Sequence, residues 1–130
     1  MRKEIEKLLQ SVQKPARYAG GELNSVMKDK SKVALRYAFC FPDTYEIGMS
    51  HLGMKILYGV ANAREDTWCE RVFAPADDME ALMRANGEPL FALESGDPIK
   101  DFDMIGFTMQ YELSYTNILN MLDLAGVPLL

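Results

Sequence analysis

Residues 41–53, FPDTYEIGMSHLG, join a predicted strand to a predicted helix. It follows an apolar run, VALRYAFCF at 33–41, which is typical of a central buried strand. The run ends at Pro42 and Asp43, and beyond Gly48 apolar residues recur at helical spacing. A strand that passes through a short polar loop into a helix is the basic unit of an α/β sheet.

Length and composition indicate one globular domain. The chain has 130 residues, of which 48% are apolar and 25% charged. Its net charge of −5 argues against nucleic acids and anionic membranes as main partners, because both attract clustered Lys and Arg. No apolar run approaches the roughly 18 residues of a membrane helix, and the charged N-terminus lacks the apolar core of a signal peptide. The sequence therefore predicts a cytoplasmic protein.

The cysteines and the basic cluster carry little functional signal. Cys40 and Cys69 lack the CxxC spacings of zinc and iron–sulfur ligands, so we expect no metal site of that kind in this segment. A disulfide between them stays open, although the cytoplasm disfavours it. The one basic cluster of the chain is short and is expected to lie in a solvated loop; it consists of Lys28, Lys30 and Lys32.

Residues 1–32 are expected to form an N-terminal helix and an irregular arm. Apolar residues recur at helical spacing over residues 2–11 and just beyond, at Ile5, Leu8, Leu9 and Val12. Pro15 ends this pattern, and the segment that follows has no period and contains a Gly-Gly pair.

Residues 33–130 are expected to form the α/β domain. After the first strand, further strands are predicted at 67–74, at 89–95 near an edge, and as a buried strand at 103–110. Helices are predicted from a Ser50 cap to about Ala63, from Asp77 or Asp78 to Gly87, and from Ser114 to Gly126. Their buried stripes are predicted as Leu52, Ile56, Leu57 and Val60; Met79, Leu82 and Met83; and Ile118, Leu119, Leu122 with Leu124 or Ala125.

This alternation predicts a mostly parallel sheet with helices on both faces. The final VPLL predicts the start of one more strand, so we expect a domain that is incomplete at its C-terminus. An uncovered sheet edge there, or the last helix, is expected to promote self-association.

The predicted ligand site lies at the carboxyl ends of the strands, where open α/β sheets bind ligands. Those ends are FPDTYEIG, from residue 41, and TMQYELS, from residue 108. Two interpretations stay open for each. Asp43 and Gly48 either contact a ligand or only form a turn. Thr108 and Gln110 either line a pocket or cap the next helix.

The first of these loops resembles the Asp-x-His-x-x-Gly loop of cobalamin-binding domains, with Tyr45 in the His position. The second resembles the Ser-x-Leu element of the same domains, with Thr108 in the Ser position and Gln110 in place of Leu. The resemblance implies a flavodoxin-like fold. It also implies cofactor-binding roles for Asp43, Tyr45, Gly48, Thr108 and Gln110.

Longer segments resemble the N-terminal part of large bacterial radical S-adenosylmethionine (SAM) proteins that carry a cobalamin-binding-like domain, most without an assigned reaction. They are KPARYAGGELNSV, FPDTYEIGMSHLGMKILYGVAN, ERVFAPADDME, PLFALES and FDMIGFTMQYELSYTNILNMLDLAGVPL. The resemblance implies a longer parent whose radical SAM barrel is this domain's partner. It places SAM and a 4Fe-4S cluster in the barrel, and no catalytic residue in this segment.

Tyr45 departs from the cobalamin-binding pattern. A phenol with a pKa of about 10 is a poor metal ligand at neutral pH, whereas a neutral imidazole is a good one. Two hypotheses follow: the domain holds a corrinoid without a histidine ligand, or it has lost the cofactor and serves as an interaction or substrate-access module. His51, the single histidine, is expected to start a helix or to lie at the surface. Glu46 and Glu112 lie on the two site loops, but nothing fixes their separation.

Overall fold

The computed structural model describes residues 2–129. Two helices, α1 and α2, precede the first strand, and the other elements alternate along the chain. In order they are α1 (Lys3–Leu9), α2 (Ala16–Ala19), β1 (Leu35–Phe41), α3 (Tyr45–Met49), α4 (Leu52–Asn62), β2 (Thr67–Phe73), α5 (Asp77–Asn86), a 3-10 turn (Ile99–Asp101), β3 (Met104–Phe107) and α6 (Ser114–Ala125). None of the helices within 2–129 is both long and apolar enough to cross a bilayer.

The three strands form one parallel sheet in the order β2–β1–β3. Phe39 in the middle of β1 lies opposite Arg71 on β2 and Gly106 on β3. Strand β1 is therefore central, as its apolar run predicts. The α/β class with a parallel, flavodoxin-like sheet is confirmed.

Helices cover both faces of this sheet. On one face, α1, α5 and α6 bury Ile5, Met79 and Met121 against the strands. On the other face, α4 buries Met54 and Tyr58. The two cysteines belong to the cores on opposite faces and both are free thiols.

Helix α4 begins one residue later than predicted and turns a different face to the core. Its cap is His51, whose Nδ1 accepts a hydrogen bond from the Met54 N–H at 3.1 Å. The start of a helix at His51 is thus confirmed, and the Ser50 cap is wrong, because the Ser50 hydroxyl donates to the Glu46 carbonyl at 2.7 Å.

The buried stripe predicted for α4 is also wrong. Its four members are between 54% and 69% exposed, namely Leu52, Ile56, Leu57 and Val60. The helix is apolar on nearly every side, so periodicity cannot choose the inner face. A hydrogen bond fixes the orientation of the helix instead, because the Tyr58 hydroxyl donates inward to Glu94 at 3.0 Å.

The segment predicted as a strand at 89–95 forms only an isolated antiparallel bridge between Phe91 and Pro98. The outer edge of β2 is already occupied by side chains. The Asn62 amide bonds both the N–H and the carbonyl of Cys69 at 2.9 Å, and the Glu94 carboxylate accepts the Arg71 N–H at 2.8 Å. The Leu93 N–H reaches the backbone of β2, at the Arg71 carbonyl, and the Ser95 N–H reaches the Glu70 carboxylate at 2.9 Å.

The C-terminal elements differ from their predictions in burial. Strand β3 is short and half-exposed because it forms the sheet edge. In α6 the inward residues are Met121, Leu124 and Ala125, whereas Leu119 is exposed. Residues 127–129 form no strand, and Leu130 lies outside the described residues.

Lys28 is not part of a solvated loop, contrary to the prediction. Its ammonium donates to the carbonyls of Asn62, Arg64 and Thr67 at 2.6 to 2.9 Å. It thereby satisfies carbonyl groups after the end of α4 and fixes the arm to the edge of β2.

Candidate functional site

Asp43 stabilises the turn at the end of β1. One carboxylate oxygen accepts the Thr44 N–H at 2.8 Å, and the Asp43 carbonyl accepts the Ala74 N–H at 2.9 Å. The second bond ties the end of β1 to the end of β2. These contacts are the ones expected if Asp43 forms a turn. A ligand contact by Asp43 stays a prediction.

Tyr45 points toward the N-terminal arm. Its hydroxyl donates to a Glu22 carboxylate oxygen at 2.8 Å, and its ring meets Phe73 edge-on with 5.6 Å between ring centroids. Burial, followed by the neighbouring Glu22 carboxylate, raises the pKa of Tyr45 to about 12. The phenol therefore stays protonated at neutral pH, which makes it an even poorer metal ligand than a free tyrosine.

Gly48 is explained by close packing. It lies buried in α3, and a Cβ at this position would come within 3.0 Å of the Phe73 ring and 3.3 Å from Phe41 Cδ1. Its φ is not positive, so the requirement is space and not backbone freedom.

Thr108 and Gln110 follow β3 on the same side of the sheet as Asp43. The Thr108 N–H donates to the Cys40 carbonyl at 3.1 Å, which continues the β1–β3 pairing by one residue. The Thr108 hydroxyl bonds to the Gln110 side chain at 3.2 Å. Thr108 thus lies at the carboxyl end of β3, and Asp43 lies at the carboxyl end of the neighbouring strand β1. Gln110 is exposed.

Glu46 does not stand free for acid–base work. Its carboxylate pairs with Arg17 at 2.6 Å, and this hydrogen bond lowers the pKa of Glu46.

A buried ionic cluster, which the sequence predictions missed, lies between β2, α4 and the arm. Arg71 on β2 is 7% exposed and donates from Nε to Glu94, whose side chain is 0% exposed, at 2.6 Å. Tyr58 stacks under the guanidinium at 4.5 Å, and Glu22 accepts from Arg71 Nη2 at 3.2 Å. The available signal was the charged pair Glu70-Arg71 inside a strand that is otherwise uncharged.

Burial and pairing oppose each other in this cluster. Burial raises the pKa of Glu94, although Arg71 and its hydrogen bonds pull the other way. Burial also acts to raise the pKa of Glu22, but hydrogen bonds from Ser25 and Tyr45 outweigh it and the net shift is downward. The arm is thus held to the sheet by an ionised carboxylate.

Glu70 faces the opposite side of β2 and belongs to a second network. It pairs with Arg36 on β1, which also bonds Asp97 at 3.0 Å. The Arg36 guanidinium lies over the rings of Trp68 and Phe102 at 5.1 and 4.3 Å. Each charged group of this network has an ion-pair partner, and we interpret the network as structural. Within residues 2–129 the buried Arg36 Nε has no hydrogen-bond partner.

The donor set does not suit an iron–sulfur cluster. The two cysteines of the chain lie on opposite faces of the sheet, so they cannot ligate one cluster together. Within residues 2–129, no three His, Cys, Asp or Glu side chains group closely enough to hold a metal ion.

Comparison with known proteins gives one match. Residues 53–130, more than half of the chain, match the family model described as "Radical SAM proteins, N-terminal". Neither the curated proteins nor the solved structures contain a match to this chain.

Proposed function

Because the chain belongs to the family of radical SAM protein N-terminal domains, we propose that it is an interaction module that packs against the catalytic domain of a radical SAM protein. The observation that carries this proposal is the exposed face of α4, formed by Leu52, Ile56, Leu57 and Val60. The only charged residue in this helix is Lys55. A helix that is apolar on all sides is normally buried on all sides.

The chemistry of this face favours a permanent partner. Interfaces between domains that never separate are apolar and poor in charge, whereas transient surfaces carry more polar groups. A catalytic domain in the same polypeptide is such a permanent partner. The matched residues 53–130 include all but the first residue of α4.

Gly59 supports close packing of another element on this face. It lies inside α4, where glycine costs about 1 kcal/mol relative to alanine. No atom lies within 4 Å of a Cβ built at this position, so contacts within the described residues do not require glycine there. Close approach of a second backbone would require it.

In this proposal the catalytic domain supplies the radical chemistry with its SAM and 4Fe-4S cluster. The N-terminal domain contributes a rigid wall and governs access of substrate. Its cluster of Arg71, Glu94 and Glu22 holds the arm in place.

Side-chain footprinting tests the proposal. Hydroxyl radicals should label Leu52, Ile56 and Leu57 readily in the 130-residue chain and several-fold less in the full-length radical SAM protein. Ile56→Asp should restore labelling at Leu57 in the full-length protein, because the charge prevents docking. Ala85→Asp, on the exposed side of α5, is the matched control and should change nothing. Equal labelling of α4 in both proteins would rule out this face as the interface.

Corrinoid binding is the second candidate function. It is supported by the position of Asp43 and Thr108 at the carboxyl ends of neighbouring strands, where α/β sheets bind ligands. Tyr45 does not fit the ligand position, since its hydroxyl is bonded to Glu22 and its pKa is raised. Any corrinoid would therefore be held without a ligand from residue 45.

Retention of hydroxocobalamin by the full-length protein tests this second function. After gel filtration, a visible corrinoid spectrum that is lost in Thr108→Trp would support it. Asn86→Trp at the far end of α5 is the surface control. Gly48→Trp is unsuitable, because it would disrupt packing against Phe73 whether or not a ligand binds. A colourless, folded protein would leave the interaction module as the function.

A further inference from the structure

The N-terminal arm and α4 enclose a cavity of about 510 Å³ on the outer side of the buried cluster. Its lining is mostly apolar with a few polar groups, and includes Leu23, Val26, Met49, Tyr58, Lys55 and Arg71. This volume and this mixture are typical of small-molecule sites.

The walls of the cavity are fixed without a ligand. The Val26 N–H donates to the Tyr58 hydroxyl at 2.8 Å, and the Trp68 indole donates to the Val26 carbonyl at 2.9 Å. Lys28 anchors the next part of the arm to three carbonyls. A ligand would therefore meet a preformed site and would not have to order the arm.

Among residues 2–129, no oxygen accepts a hydrogen bond from one donor group of Arg71. Its Nε donates to Glu94, and its Nη2 donates to Glu22 and Ser25. Its Nη1 has only the thioether sulfur of Met49, at 3.3 Å. A thioether is a weak acceptor, and an under-satisfied donor on a cation that is 7% exposed is costly. Both Arg71 and Met49 line the cavity, so a ligand oxygen can take this place.

Charge decides what kind of oxygen fits. The Arg71 charge is already offset by two carboxylates, Glu94 and Glu22. A third carboxylate beside them would be repelled, and Lys55 is the only other cation in the lining. We propose that this cavity binds a small neutral molecule with an apolar body and a carbonyl oxygen, which accepts a hydrogen bond from Arg71 Nη1. This site is separate from the strand ends but shares Gly59 with the α4 face, which is uncovered in the 130-residue chain.

Nuclear magnetic resonance titration of the 130-residue chain tests the proposal. The probes are isovaleramide, which is neutral, and isovalerate, which has the same apolar body and a carboxylate. Isovaleramide should cause saturable shifts at the Gly59 amide and the Arg71 Nε–H. Isovalerate should bind roughly tenfold more weakly, because of repulsion from Glu22 and Glu94.

Variants at the mouth of the cavity locate the site. Gly59→Trp should abolish the shifts by filling the mouth, whereas Gly59→Ala should preserve them. Among the described residues, no atom lies within 4 Å of a Cβ built at position 59, so the first carbon of either side chain meets no obstacle. Leu23→Ser, on an almost fully exposed lip, should weaken binding and keeps the fold intact. Lys3→Gln, an exposed charge change in α1 away from the lining, should leave isovaleramide binding unchanged.

Three results would overturn the inference. The absence of saturable shifts at millimolar isovaleramide would mean that the cavity holds only water. Unchanged binding in folded Gly59→Trp would place the probe elsewhere. Equal or tighter binding of isovalerate would show that the site selects an anion and not a neutral carbonyl.

Discussion

Two glycines in neighbouring helices, Gly48 and Gly59, should respond in opposite directions to the same substitution. In Gly48→Ala the new methyl group would come within 3.0 Å of the Phe73 ring, which Tyr45 contacts edge-on. Overpacking of this kind costs about 1–3 kcal/mol, and the helix propensity of alanine returns at most about 1 kcal/mol. We expect the free energy of unfolding to fall by about 1–2 kcal/mol. In Gly59→Ala nothing opposes the propensity gain, so it should rise by up to about 1 kcal/mol.

Urea unfolding followed by tryptophan fluorescence measures both changes. Trp68 is the single tryptophan and is 3% exposed, so its emission reports loss of the core. In thermal unfolding of a chain of this length, a change of 1 kcal/mol in the free energy of unfolding corresponds to a shift of about 4 °C in Tm. The double variant Gly48→Ala/Phe73→Leu should be less destabilised than the sum of its two single variants, because the smaller side chain relieves the overlap. If Gly48→Ala matches or exceeds the native stability, the packing explanation for this glycine is wrong.

Four further outcomes are expected. The pKa of Glu22 is lowered in the folded state, so its contribution to stability is present above about pH 5 and is lost as the pH falls through the folded pKa. In urea titrations at a series of pH values, the free energy of unfolding of Glu22→Gln should therefore fall less steeply toward acid pH than that of the native chain. Tyr45→Phe should lower the free energy of unfolding by about 1–2 kcal/mol through the lost hydrogen bond to Glu22, with the far-ultraviolet circular dichroism unchanged. Lys28→Met should cost about 1–3 kcal/mol, because it removes the partner of three carbonyls, and no change would mean that water replaces the ammonium. Self-association through the uncovered sheet edge, which β3 forms, or through α6 stays a prediction, and a light-scattering mass that is monomeric at all concentrations would contradict it.

The alternation of strands and helices was predictable because it rests on local patterns. The apolar run that ends at Phe41 and the fully buried run Thr67–Phe73 both form strands at the expected positions. Gly87 and Gly126 end helices in the left-handed conformation that glycine favours. Each of these signals is complete within a few neighbouring residues.

The inner face of α4 was not predictable from periodicity. Apolar residues surround most of this helix, so several orientations bury a similar apolar area. The choice depends on distant polar partners, such as Glu94 for the Tyr58 hydroxyl. The same reason explains the missed strand at 89–95, because Asn62 occupies the backbone groups of Cys69, and Glu94 meets the Arg71 N–H with its side chain and not with its backbone.

The candidate site shows the same division. The sequence placed Asp43 and Thr108 at the carboxyl ends of two strands, and the structure shows that these strands are neighbours in the sheet. The contacts of Tyr45 with Glu22 and of Gly48 with Phe73 join residues more than 20 positions apart, and no spacing in the sequence announces them. Arg71, Glu94 and Glu22 come together for the same non-local reason.

The outer edge of β2 has a consequence for the route by which the protein forms. It is closed by side chains from three distant parts of the chain, Lys28, Asn62 and Glu94, and not by a strand. During synthesis, β2 emerges before Glu94, so the closing groups are incomplete while the strand already exists. The nascent sheet therefore exposes unpaired backbone groups along β2 that the mature fold covers. Its tendency to aggregate should be greatest in that interval. Once these side chains cover the edge of β2, a further strand can pair with the described sheet only along β3. Strands can therefore be added at one edge of the sheet.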